Sequence, residues 1–258
     1  MSAITTPIDQ VISDIASVID WSRQHASRLG YFAALYLRVT KTIKSKIGTG
    51  FFDDDERMER LDFAFASRYL AIAHAVQAGD VGAVPKAWAV AVQALPEAAP
   101  IIVQHLLLAM NPHINIDLAV ACAETAPGSQ LPALRGDFLK VNAILASLVP
   151  TVEQEIGVLS PFIKLLDAVA GRADGVIINF SMDGARDAAW QFAGILAAAP
   201  ADQWQPLIDH ANNIFAVLGD RIADPGKLLD PVITVISSVE SRDIVAIINT
   251  LDTGDQLL

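Results

Sequence analysis

A chain of 258 residues, 53% of them hydrophobic, carries enough apolar surface for a large buried core, which excludes a disordered polypeptide. Its 29 acidic residues against 18 basic ones give a net charge of −11. That excludes a general nucleic-acid binder, which needs a basic face to offset phosphates, and the single cysteine, Cys122, excludes an intramolecular disulfide framework.

The first residues lack the basic region and apolar run of an export signal, and no run of about 18 apolar residues is free of charge, proline or polar interruption. A cytoplasmic protein with no transmembrane segment is the expectation. Apolar residues recur at three- and four-residue spacing nearly throughout, so helices are expected almost everywhere. The first runs from Pro7 through Trp21 towards Ser27, and the second from Tyr31 to about Ile47, ending at Gly48-Thr49-Gly50. Asp53-Asp54-Asp55-Glu56 opens a third that reaches about Gln77; carboxylates there cap free amides and complement the helix dipole. Arg38, Lys41, Lys44 and Lys46 gather at the end of the second helix as a solvated basic stripe.

A fourth helix lies between Pro85 and Leu95, a fifth from about Ile101 to Thr125, and a sixth from Ala133 to Val149, with a separate stretch after Pro150. Gly171 to Gly175 reads as a turn, and Val176 to Phe180 as a short strand or the lead-in to a helix capped near Ser181 or Asp183, the latter favoured. Helices over about Ala185–Ala198, Ala201–Ile222 and Asp230–Leu251, the last broken near Ser241, complete the chain. The fold class is all-α: a single compact bundle of about ten helices, with a subdivision near residue 150 as the alternative.

Helix five sets polar side chains into an apolar run: Gln104, His105, Asn111, His113, Asn115 and Asp117, with Pro112 among them. Buried without partners, such groups cost roughly 1–3 kcal/mol each, so they must be satisfied by one another, by water, by a metal or by a ligand. At 100° per residue, Gln104, Asn111 and Asn115 share one stripe, and His105, His113 and Asp117 another. His113 and Asp117 are one turn apart, about 6 Å in rise, so they can hold one metal or form an imidazole–carboxylate pair. His105 lies about 12 Å in rise from His113, too far to share a ligand directly. Pro112 predicts a kinked helix or an extended segment, and either leaves Asp117 beside His113. The pair then has three roles open to it: a contact that only holds the kink, two ligands of a metal, or a metal-free acid/base pair. A catalytic metal normally takes three protein ligands, and Asp137, Glu59, Asp62 and His74 are candidates for the third. Asp62 is also expected to pair with Arg68 or Tyr69, and Trp88, Trp190 and Trp204 to form core or pocket walls. Nucleophile elbows, phosphate-cradling loops and paired cysteines are absent from the sequence.

On these residues the chain resembles a bacterial family of all-helical proteins known as a domain of unknown function. The resemblance rests on Tyr36-Leu37-x-Val39-Thr40, Phe51-Phe52, Arg60-Leu61-Asp62-x-x-Phe65-Ala66-x-Arg68-Tyr69-Leu70 and Ala87-Trp88. It continues in the QHxLLxxNxHINxDL pattern from Gln104 to Leu118, in Asp137-Phe138-x-x-Val141-Asn142 and in Ala185-Arg186-x-x-Ala189-Trp190. It spans residue 31 to about 195 and implies a joint role for Asp62, Arg68, Gln104, His105, Asn111, His113, Asn115, Asp117, Asp137 and Asn142, with no reaction attached.

The expected function is enzymatic: His113, Asp117 and His105 as catalytic groups of a semi-buried pocket, acting on a small, largely apolar substrate by metal-assisted or general acid/base chemistry. Gln104, Asn111, Asn115, Asn142, Arg68 and Trp88 are the expected substrate-binding residues. A divalent ion such as zinc, if used, would sit on His113, Asp117 and Asp137. The alternative is a non-enzymatic helical module for a lipid-like or other hydrophobic ligand, its polar cluster purely structural.

Overall fold

Thr6 and Asp9 form a reciprocal capping box that starts α1 (Pro7–Gln24), with Pro7 in the first turn, where its missing amide costs nothing. The computed structural model describes residues 6–166, 181–227 and 229–253. Within them the chain forms ten helices and no strand, an all-α bundle. After α1 come α2 (Leu29–Lys46), α3 (Asp55–Ala78) and α4 (Lys86–Ala94), then the long α5 (Ile102–Thr125). There follow α6 (Leu131–Leu159), α7 (Met182–Ala198), α8 (Trp204–Ala223), α9 (Asp230–Val239) and α10 (Ile244–Thr253). The turn and strand-or-lead-in expected over 171–180 lie outside the described residues.

Helix α5 is the axis of the bundle: α2, α3, α4, α7 and α8 all pack on it. It is apolar enough by length and composition to cross a membrane, with a mean hydropathy of 1.4 over its best window, although the polar interruptions argued against any such run. Here 89% of that window is buried against other helices, the situation of a core helix. Cys122, wholly buried on it, packs as a small apolar residue, and burial pushes its thiol up to about 12.

Two features differ from the sequence expectation. α6 runs unbroken through Pro150, where the sequence suggested a stop. Pro150 and Ala146 are both exposed, so the carbonyl left without a helical donor faces water, which lowers the cost of an interior proline. Arg38 also leaves the expected solvated stripe. It pairs at 2.7 Å with Glu155, itself 2% exposed, and donates to the Leu251 carbonyl, tying α2 to α6 and α10.

The acidic cluster before α3 does what its position favours. Asp54 accepts the Arg57 amide at 2.9 Å as an N-cap, and Asp55 accepts the Gly48 amide at the preceding turn. Gly79, at φ 71°, ends α3 in the left-handed conformation that favours glycine.

Candidate active site

Pro112 neither breaks α5 nor opens an extended segment. His113–Asp117 instead form one turn of π-helix, in which the Leu118 amide reaches back to the His113 carbonyl. Asn115 spans the widened turn, its side-chain amide donating to the Asn111 carbonyl at 2.9 Å and to the Asn111 side chain at 3.3 Å. Asn111 in turn donates to the Phe215 carbonyl on α8 at 2.7 Å. Gln104, on the same stripe, accepts the Ile101 amide and donates to the Ile222 carbonyl. This stripe fastens α5 to α8. Its residues were expected to bind substrate, but their side-chain amide N–H groups donate to backbone carbonyls.

The other stripe brings a histidine and a carboxylate together. His113 Nδ1 lies 3.2 Å from Asp117 Oδ2, and the Trp88 indole N–H donates to that same oxygen at 2.9 Å. Because a carboxylate only accepts, Nδ1 carries the proton and Nε2 keeps its lone pair. That nitrogen is buried and has no hydrogen-bond partner among the described residues. Burial holds the His113 imidazole below the ordinary histidine range, and the Asp117 hydrogen bond offsets this only in part, so the ring is neutral at neutral pH. Its face stacks on Phe65 at 3.8 Å with 9° between planes, and Phe32, Tyr36, Tyr69 and Trp88 surround it.

His113 forms part of the wall of a cavity of about 100 Å³ between α2, α3, α5, α6 and α7. Most of the wall is apolar, with Phe32, Leu35, Phe65, Phe138 and Val141 among its residues. Three further polar side chains line it: Tyr36, Asp62 and Arg186. Among the described residues the Tyr36 hydroxyl and Asp62 Oδ2 are buried without partners, as His113 Nε2 is. Burial, with Glu59 nearby, pushes the Asp62 carboxyl up to about 7. The partners expected for Asp62 are not its partners: Arg68 reaches out to Glu124 at 2.7 Å, and the Tyr69 hydroxyl is unpartnered. Burial likewise pushes Tyr36 well above the ordinary tyrosine value.

Several expected site residues lie elsewhere. His105 belongs to a separate small cavity with Arg28, Tyr31 and Glu240, where burial pulls its imidazole down to about 4. It does not join His113. Asp137 is wholly buried beside the start of α3, accepting from the Asp53 amide at 2.7 Å, Arg57 at 2.8 Å and Lys140 at 3.2 Å. Burial would raise that carboxyl, but these donors outweigh it and hold it below the usual range. Asp137 therefore joins two helices instead of completing a metal triad with His113 and Asp117. Among the described residues no three His, Cys, Asp or Glu side chains converge as a metal site. His74 is exposed, and Glu59 acts only as a neighbour of Asp62. Arg68, expected to bind substrate, sits outside the cavity wall, and Trp88 serves by orienting Asp117.

Sequence reasoning did not assign Tyr36, Phe65 or Arg186 a place in the pocket. All three fall within the segments that carry the family resemblance, but an aromatic at helical spacing, or one arginine, gives no sign of the cavity it faces. Asn142 reaches the site through Arg186, whose Nε donates to its side-chain oxygen.

The model of a family described as Family of unknown function (DUF5995) matches residues 8–225, a longer stretch at both ends than the motifs span. No curated protein and no solved structure gives a match.

Proposed function

The chain belongs to the DUF5995 family, and since that family is one of unknown function, we propose from the cavity itself that the protein is an enzyme of metal-free general acid/base chemistry on a small, largely apolar substrate. The observation that carries this is a neutral histidine on an apolar cavity wall whose Nε2 has no partner among the described residues, its other nitrogen held by Asp117 and, through Asp117, by Trp88.

In this arrangement Nε2 takes a proton from the bound substrate. Asp117 stabilises the imidazolium that forms, and the Phe65 face beneath the ring adds a cation–π contribution of about 0.5–2 kcal/mol. Asp62, protonated below about pH 7, donates a hydrogen bond or a proton to the oxygen on which charge develops, as does the Tyr36 hydroxyl. A three-ligand zinc site is not supported by the donors present, because Asp137 is committed to α3.

Proton abstraction is read most directly as hydrogen–deuterium exchange α to the carbonyl of cyclopentanone and acetophenone in D2O, followed by proton NMR. The native protein should exchange them, with His113→Gln and Asp117→Asn lowering the rate by about 10²–10⁴-fold and about tenfold or more respectively. Ketones that bind, seen as a raised Tm, with no exchange above the His113→Gln background would leave a binding protein for hydrophobic ligands.

A further inference from the structure

The cavity carries one charged group that the acid/base reading does not use. Arg186, only 4% exposed, projects from α7 onto its wall. Its Nε donates to Asn142, its Nη2 donates to the Phe138 carbonyl at 2.9 Å, and the guanidinium lies 4.3 Å over the Phe138 ring. All three contacts are to neutral groups, and Nη1 makes no hydrogen bond among the described residues. No carboxylate among them forms an ion pair with this guanidinium; the neighbouring acids Asp183 and Asp187 are exposed, and Asp187 turns to Arg135 at 3.4 Å. A buried cation without a counter-ion is costly, and the cost appears as a guanidinium pulled by burial down to about 10.

The remaining polar groups of the wall do not neutralise it. His113 and Tyr36 are neutral, and Asp62 is largely so below about pH 7, which leaves, among the described residues, one positive charge without a paired carboxylate in apolar surroundings. The complementary ligand has an apolar body and one negative end. A planar guanidinium with a free edge suits a carboxylate in particular, through paired N–H···O bonds. The volume of about 100 Å³ confines the ligand to a small molecule such as a short aliphatic acid.

We propose that the cavity selects short apolar monocarboxylates, with Arg186 binding the carboxylate and the apolar body lying against the Phe32, Leu35 and Phe65 wall. This rests on the cavity being the substrate site and names the substrate class for it. Arg186 is then the specificity-determining residue, and Asn142 positions it.

The test compares hexanoate, hexan-1-ol and hexylamine by calorimetric titration and Tm shift on the full-length chain. The native protein should bind hexanoate at least tenfold more tightly than hexan-1-ol, with no detectable binding of hexylamine. Arg186→Met should reduce that preference to about one while leaving hexan-1-ol affinity unchanged, which also reports that the cavity has folded. Should the methionine variant not fold, Arg186→Lys should keep a preference for hexanoate reduced by about threefold or more, since it retains the charge and loses the paired geometry. Equal affinity for hexanoate and hexan-1-ol in the native protein overturns the proposal, and so does a preference that survives Arg186→Met. Ketone exchange and hexanoate preference are read separately on the native protein. Hexanoate binding without ketone exchange therefore removes only the acid/base reading, whereas ketone exchange without carboxylate preference removes only this one.

Discussion

Trp88 and His113 meet on one oxygen: the indole N–H and the imidazole Nδ1 both address Asp117 Oδ2, at 2.9 and 3.2 Å. The tryptophan is fixed in the core, 3% exposed, so it holds the carboxylate at the angle the histidine needs. Trp88→Phe keeps the packing and removes the donor. It should cost about 1–3 kcal/mol in a denaturant titration, the range for a hydrogen bond to a charged group, and slow ketone exchange several-fold. An unchanged exchange rate would mean that Asp117 does not depend on Trp88.

Asp62 gives stability a falling limb with pH. Its folded-state carboxyl stands at about 7 against an unfolded value near 4, so between those values the folded protein binds the extra proton. The stabilising difference is fully present below the unfolded value and is lost as pH rises towards 7, by a few kcal/mol in all. Asp62→Asn should remove that limb and be more stable than the native protein at pH 8. Parallel curves of unfolding free energy against pH for the two proteins would remove the buried, partnerless carboxyl from the account.

His105 works in the opposite sense. Folded, its imidazole is held down to about 4, while the unfolded chain takes up its proton near 6.5, so stability is lost as pH falls from about 6.5 to 4. The loss amounts to about 3 kcal/mol, at roughly 1.4 kcal/mol per unit. His105→Gln should flatten this acid limb and leave ketone exchange intact, because His105 faces a different cavity from His113.

Asp137 is predicted to matter for folding and not for turnover. Asp137→Ala leaves Arg57 and the Asp53 and Asp54 amides without their shared acceptor, and breaking a buried network of this kind costs about 3–5 kcal/mol. Thermal unfolding should show a Tm lower by several degrees, and the residual folded protein should retain its exchange rate. A selective loss of activity with unchanged Tm would return Asp137 to the active site.

Gly30 marks where α1, α2 and α10 come closest. A Cβ there would stand 2.6 Å from Ile248 Cδ1 and 2.8 Å from Ser22 Cβ. Gly30→Ala should therefore destabilise by about 1–3 kcal/mol despite the better helix propensity of alanine. A rise in Tm would show that Ile248 moves aside at no cost.

The helices were legible because periodicity, capping residues and breakers all act locally: Thr6 with Asp9, Asp54 and Gly79 each end or start an element where the sequence places them. The one-turn spacing likewise brings His113 to Asp117 in any helical form. What could not be read was partner choice across helices. Gln104 and His105 are adjacent in sequence yet serve different neighbours, one the end of α8 and the other a cavity beside Glu240. Asp137 was a candidate ligand because its helix could pack near helix five, but its partners lie some eighty residues earlier, at the start of α3. Arg186 became meaningful only once the wall around it was visible.

The π turn at His113–Asp117 makes the candidate site separable from the scaffold. A single such turn is equivalent to one residue inserted into an α-helix, with both flanks keeping their own phase. Removing one residue from it, for instance Ile114, should restore an ordinary helix whose two halves still present Leu106 and Val120 to their present neighbours. Such a deletion variant should fold as an all-helical bundle while losing the His113–Asp117 alignment.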